Sequence, residues 1–330
     1  MIQQIYITDY LSAAATQPVA QVESIVNHCP ALLHADWQTH AQPPLTVLFD
    51  ALLPPAMQAA TVSPVSKVLS ASQMWQIPLW QIPPVFCLLP VHLAMRRDTF
   101  SLQAVVPLPA AIYQILTQRL QQHFAEDFVL HVDPGQRFWW VQPLRQVQAE
   151  CPWPQACLFQ QAIHWQPQGL EASLVRQWTN EIQMLLHEMA NQMQDWPAAL
   201  NSLWFASVGP TPDWQHNFDL VSGQGEVFAG LSALQLPALK TMPFSDMLKT
   251  PRTQRRLWIA DEVSSVDWPA LNHALQQGVV KKCTLVIPFA ERHVQIHYQQ
   301  KPRWQFWHKP ATLNQLLQQL EQSLPADSLR

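Results

Sequence analysis

Glycine is scarce in this chain: 7 of 330 residues, against 29 prolines. Loops that cradle phosphate use glycine because only a residue without Cβ lets successive backbone N–H groups close on an anion. The one cluster, Gly223-Gln-Gly225 followed by Gly230, has neither Rossmann nor P-loop spacing and reads as a surface turn. Charge is also sparse. Charged side chains make up 13% of the residues, about half the usual share in soluble domains. A net charge of -4 offers no basic footprint for nucleic acid. No Cys-x-x-Cys pair occurs, and the 5 cysteines are widely spaced, as expected of reduced thiols in a reducing compartment. Cys151 and Cys157 bracket two prolines, a pair near enough for a disulfide that reads first as a local loop. No apolar run approaches the ~20 residues of a membrane span. The longest, around Pro83 to Ala94, is broken by Pro90 and His92. Met1 to Tyr10 lacks the basic start and apolar centre of a signal peptide, so the expected location is cytoplasmic, without a membrane or nucleic-acid partner.

What the chain has is apolar mass, 48% of its residues, enough for a sizeable core. Its length suggests two domains. A Pro-rich stretch from Ile77 to Pro84 divides an N-terminal lobe, 1–84, from a main domain, 85–330. Leu45 to Phe49 reads as a short buried strand or the start of a helix, and 62–77 as a short helix. Val85 to Val106 reads as two strands about an Arg96-Arg97-Asp98 turn. Residues 109–124 read as a helix, and Phe128 to Val132 with Phe138 to Val141 as a hairpin. Further strands are expected at Leu200 to Phe205, Arg256 to Ala260, Cys283 to Phe289 and His293 to Tyr298. Helices are expected at 267–277 and from Thr312 to Leu324. Such alternation implies an α/β fold, a mixed β-sheet flanked by helices.

The clearest helix spans 170–194. At about 100° per residue, Trp178, Ile182, Leu185, Leu186, Met189 and Met193 form one apolar face. Asn180, His187 and Asn191 fall within about 20° of one line on the opposite side, with Met184 nearby. Such a row is either a solvated polar face or a ligand-orienting one. Most amphipathic helices have the first; the lack of Lys and Arg in this row, and the following Asn201-Ser202-Leu-Trp204-Phe, weigh towards the second.

The run Trp178-Thr-Asn-Glu-Ile-Gln-Met-Leu-Leu-His187, then Asn191, then Asn201-Ser-Leu-Trp-Phe205, resembles the RpfE-type regulatory proteins, a proteobacterial family similar to cofactor-independent phosphoglycerate mutases. Pro90-Val-His-Leu-Ala-Met-Arg-Arg-Asp98, the Arg137-Phe-Trp-Trp140 hairpin and Trp304-Gln-Phe-Trp307 resemble further segments of it. The resemblance spans about 85–307 and leaves residues 1–80 poorly matched. The chain departs from it at Ala206-Ser-Val-Gly-Pro210, where the family is glycine-rich, and at Glu188-Met-Ala. It implies a distantly phosphatase- or mutase-like scaffold. It also implies a ligand site at His92, Arg97, Asp98, Asn180, Glu181, His187, Asn191, Asn201, Ser202 and Trp204, in which Arg97 holds an anionic group.

Mutases of that kind need a serine nucleophile and two metal ions held by several Asp and His residues. Here Leu48-Phe-Asp50-Ala has neither the glycine nor the serine of that motif. The segment containing His34, Asp36 and His40 is the one candidate for metal ligands, and His293 and His297 share a strand face. No Gly-x-Ser-x-Gly elbow occurs. Two readings stand. One is a non-catalytic regulatory or ligand-binding protein, and the missing nucleophile favours it. The other is a metal-dependent enzyme, a mutase or phosphatase using Mn or Mg on a small phosphorylated metabolite. The expected partners are a small anionic or phosphorylated ligand, or another protein.

Overall fold

The computed structural model describes residues 2–7, 18–40, 44–53, 65–73, 85–96, 99–158, 165–210, 212–251, 254–289, 292–300 and 312–322. In chain order its elements are β1 (Ile2–Ile7), α1 (Pro18–His28), β2 (Asp36–His40), α2 (Pro44–Leu52), α3 (Val65–Gln73), β3 (Phe86–Arg96), β4 (Thr99–Val105), α4 (Ala110–His123), β5 (Phe128–Val132), β6 (Trp139–Pro143), α5 (Ala172–Gln192), β7 (Ser202–Ser207), β8 (Leu220–Gly223), α6 (Glu226–Ala233), α7 (Phe244–Lys249), β9 (Arg256–Ala260), α8 (Trp268–Gln276), β10 (Lys282–Phe289), β11 (Arg292–Gln299) and α9 (Leu313–Gln322). The chain divides into two units, Met1–Pro54 with Asp213–Arg330, and Pro55–Pro212.

The first unit is built on a sheet of order β2-β11-β10-β1-β9-β8. Its four strands β10, β1, β9 and β8 are parallel, and β11 runs antiparallel to both β10 and β2. Central parallel strands are covered on both faces, which is why β9 is buried along its whole length. On one face Ile5, Ile7, Trp258 and Leu285 pack with Val22 and Ile25 of α1, Leu271 and Leu275 of α8, and Leu316 and Leu320 of α9. The chain visits β8 and β9 as neighbours, then passes β1 to reach β10. Ile7, Asp261 and Pro288 lie at the carboxyl ends of the parallel strands β1, β9 and β10.

The second unit carries an antiparallel sheet of order β4-β3-β6-β5, and β7 also pairs with β3. β7 pairs with Phe86 to Val91 and β4 with Val91 to Arg96. The long strand β3 therefore has β7 beside its first half only. Trp139, Val141 and Phe205 from the sheet pack with Leu116 and Leu120 of α4 and with Trp178, Ile182 and Leu186 of α5. Trp139 is fully buried, and its indole N–H donates to Thr117 Oγ1 at 2.7 Å. The β5–β6 turn is fixed by Asp133. Its buried carboxylate accepts Arg137 Nε and Nη2, each at 2.8 Å.

Both units are α/β or built of sheet and helix, so the expected class stands, in two sheets rather than one. The units part otherwise than at 84/85. β1 pairs with residues near 256 and 282, so the N-terminal segment belongs with the C-terminal third. The Ile77 to Pro84 linker lies outside the described residues. Leu45 to Phe49 is part of the helix α2. Among the described residues no helix is long and apolar enough to cross a membrane.

Candidate functional site

The helix α5 is set by its 3.6-residue rhythm of large apolar side chains. Val175, Trp178, Ile182 and Leu186 are each at most 1% exposed. It ends after Gln192, a few residues before Asp195-Trp-Pro197. The expected opposite row is in place: Asn180, Met184, His187 and Asn191 are exposed.

Between α5 and the β3–β7 pair lies a cavity of about 210 Å³. Val175, Leu203 and Phe205 form an apolar floor. Trp165 and Trp204 form one wall, their ring centroids 4.7 Å apart and their planes at 53°. Asn180, Gln183, Thr179 and Ser202 supply the polar groups. Gln183 Nε2 donates to Ser202 Oγ at 3.1 Å, and Trp204 Nε1 to Pro152 O at 2.8 Å. Cys151 also reaches this cavity, but burial pushes its thiol up to about 12, so it is no nucleophile at neutral pH. An adjoining hollow is lined by His187, Ala190, Trp196 and Asn201. It shares Leu93, Phe100 and Gln183 with the first.

The residues expected to form one site are thus distributed. Asn180, Ser202 and Trp204 line the main cavity, and His187 and Asn201 line the adjoining hollow. His92 lines neither, and its Nδ1 lies 2.9 Å from Ala199 O. Glu181 accepts from Gln177 at 2.9 Å and lies 3.6 Å from His123 Nε2 on the helix flank. Asn191 bonds His187 at 3.2 Å. Arg97 and Asp98 lie outside the described residues.

The chain matches no family model and no curated protein. Among solved structures it is similar to the cofactor-independent phosphoglycerate mutase of Thermoplasma acidophilum DSM 1728. The two are 9% identical over 90% of this chain and 89% of that one, with a TM-score of 0.34. At that score, what the site can do is read from this chain's own residues. None of these comparisons reaches the RpfE-type family.

The candidate metal set does not converge. Asp36 and His40 stand at opposite ends of β2, roughly 13 Å apart at the rise of a strand. Asp36 accepts from Gln38 at 2.6 Å instead. His40 stacks on buried His293 with centroids 4.9 Å apart, while exposed His297 bonds Thr284 and Gln295. Among the described residues no three His, Cys, Asp or Glu side chains group as metal ligands. Asp50 sits within α2, not at a strand end, and burial raises its carboxyl above the usual range.

The Gly223-Gln-Gly225 turn lies at the surface, with Gln224 and Gly225 exposed, and it is tight. It joins the buried end of β8 to α6. Gly225 takes φ 99°, and a Cβ there would meet the Asp261 carboxylate at 2.4 Å. That carboxylate accepts the Glu226 N–H, so the start of α6 already holds an anion of its own.

Sequence reasoning missed Gln183 and Trp165 as lining residues. Gln183 stood in view, inside the motif that drew attention to Asn180 and His187. Trp165 sits outside any periodic element, so no pattern marks it.

Proposed function

We propose that this chain is a non-catalytic ligand-binding protein whose site is the cleft of the second unit between α5 and the β3–β7 pair. One observation carries the reading. The cleft combines an apolar floor, a two-indole wall and amide and hydroxyl groups of α5 and β7. Such a lining holds a molecule by stacking and hydrogen bonds. The thiol of Cys151 is protonated at neutral pH, and among the described lining residues of the main cavity no carboxylate or imidazole stands to move a proton. Five free, buried cysteines support a reducing, cytoplasmic setting.

Two measurements test this. Cavities of about 150 Å³ accept benzene, so benzene-sized probes suit a space of 210 Å³. In protein labelled with ¹⁵N at its indoles, such probes should shift the Trp165 and Trp204 signals, assigned by Trp165→Phe and Trp204→Phe. If neither signal moves, the cleft is not a site. Interconversion of phosphoglycerates with added Mn or Mg should be absent. Turnover that survives purification and stops with chelator would overturn the non-catalytic part.

A further inference from the structure

We infer that the cleft selects an uncharged, planar ligand with an amide-like edge, hydrogen-bond donor and acceptor side by side, over an anionic one. This rests on reading the cleft as the binding site.

The first support is which polar groups remain to be used. Thr179 has spent its hydroxyl on Val175 O at 2.8 Å. Trp204 has spent its N–H on Pro152 O. Ser202, only 1% exposed, accepts from Gln183 Nε2 and donates to Leu203 O at 3.5 Å. Once Nε2 is held by Ser202, Gln183 Oε1 is left as an acceptor with no partner among the described residues. The Asn180 amide has no partner among the described residues either, so it brings a donor and an acceptor. Asn180 and Gln183 are three residues apart on α5, where Cβ atoms stand about 5–6 Å from each other. Two amides at that spacing match the edge of another amide.

The second support is charge. The described lining holds no carboxylate and one cation, Arg176. Arg176 is exposed, and its Nη1 turns to Pro167 O at 3.3 Å. An anion entering the cleft would exchange water for neutral amides and for a single guanidinium that is itself solvated, which penalises it against a neutral molecule of the same shape. The third is shape. Trp165 and Trp204 present flat indole surface above an apolar floor, which suits a planar ring.

Benzamide and benzoate test this, since they share a ring and differ in edge and charge; toluene supplies the ring alone. Affinities are read from the Trp165 and Trp204 indole signals. Benzamide should bind about tenfold more tightly than benzoate, the equivalent of one good hydrogen bond. Gln183→Leu should weaken benzamide about fivefold and leave toluene unchanged. Thermal unfolding checks that this variant folds. If it does not, exposed Asn180→Ala carries the same expectation. Benzoate binding as tightly as benzamide, or a variant that weakens toluene equally, overturns the ligand class while the site stands. Failure of all three probes to shift the indoles overturns the site itself, and the inference with it.

Discussion

The side-chain amide of Asn201 binds both backbone groups of Leu93: Leu93 N–H donates to Oδ1 at 2.8 Å, and Nδ2 donates to Leu93 O at 2.7 Å. Asn201 directly precedes β7, whose pairing along β3 stops at Val91. The amide thus supplies the two hydrogen bonds that one more strand residue would supply, at a β-bulge between His92 and Leu93. Leu93 lines both parts of the cleft, so this clasp sets one of its walls.

Removing the clasp should loosen that wall. Asn201 is exposed, so water can replace part of what is lost. Asn201→Ala should cost about 1 kcal/mol. The Leu93 amide should exchange its hydrogen faster than its neighbours in β3. Asn201→Asp, which keeps the acceptor but not the donor, should protect that amide better than alanine does. Equal exchange at Leu93 in all three proteins would mean the clasp does not hold the strand.

His187 and its neighbours on α5 separate binding from folding. His187 is exposed and bonded to Asn191, whereas Leu185 and Leu186 are 7% and 1% exposed and lie in the core. His187→Ala should cost under about 1 kcal/mol. Leu185→Ala and Leu186→Ala should each cost about 2–5 kcal/mol. Urea unfolding of the three variants decides it. A histidine variant as unstable as the leucine variants would make the ring a structural group.

How far these relations could be read beforehand depends on the range of the forces behind them. The apolar stripe of α5 is local, and Trp178, Ile182 and Leu186 announce it at helical spacing. The β5–β6 hairpin is local too, written in Asp133-Pro-Gly-Gln. Ile2 to Ile7 carries no comparable sign. Its partners lie near residues 256 and 282, and nothing within Ile-Gln-Gln-Ile-Tyr-Ile, two glutamines among its six residues, marks a central parallel strand. Leu45 to Phe49 shows the same ambiguity from the other side, a short apolar run that folds as a helix. In the site, Asn180, Ser202 and Trp204 were legible because a helix face and the next strand adjoin. His92 was placed with them by motif, but the bulge beside it and the bond to Ala199 hold it elsewhere.

The thiols should be inert in the native protein. All five cysteines are free and buried. Burial pushes Cys29, Cys151 and Cys157 up to about 12 and raises Cys87 and Cys283 as well. Iodoacetamide at pH 8 should leave the folded chain unlabelled. In guanidinium without reductant it should label all 5 cysteines, as counted by intact mass. Two labels fewer would reveal a disulfide.

Stability should fall on mild acidification, and His216 should account for part of the slope. Its Nδ1 accepts the Phe218 N–H at 3.2 Å, and its Nε2 donates to Pro237 O at 3.1 Å. Those partners fix the neutral ring with its proton on Nε2. Protonating Nδ1 would break the bond from Phe218. Burial accordingly lowers the histidine's pKa below its ordinary value, although the bond to Pro237 acts the other way. With the folded value depressed, the unfolded chain binds the extra proton first, so folding loses free energy as pH drops below about 6.5. The contribution is fully present above that pH. His216→Gln cannot take up the proton. Its unfolding midpoint in urea should therefore fall less than that of the natural chain between pH 7.5 and pH 5.5, even if it starts lower. Parallel midpoints across that range would show that the histidine titrates alike in the folded and unfolded chain.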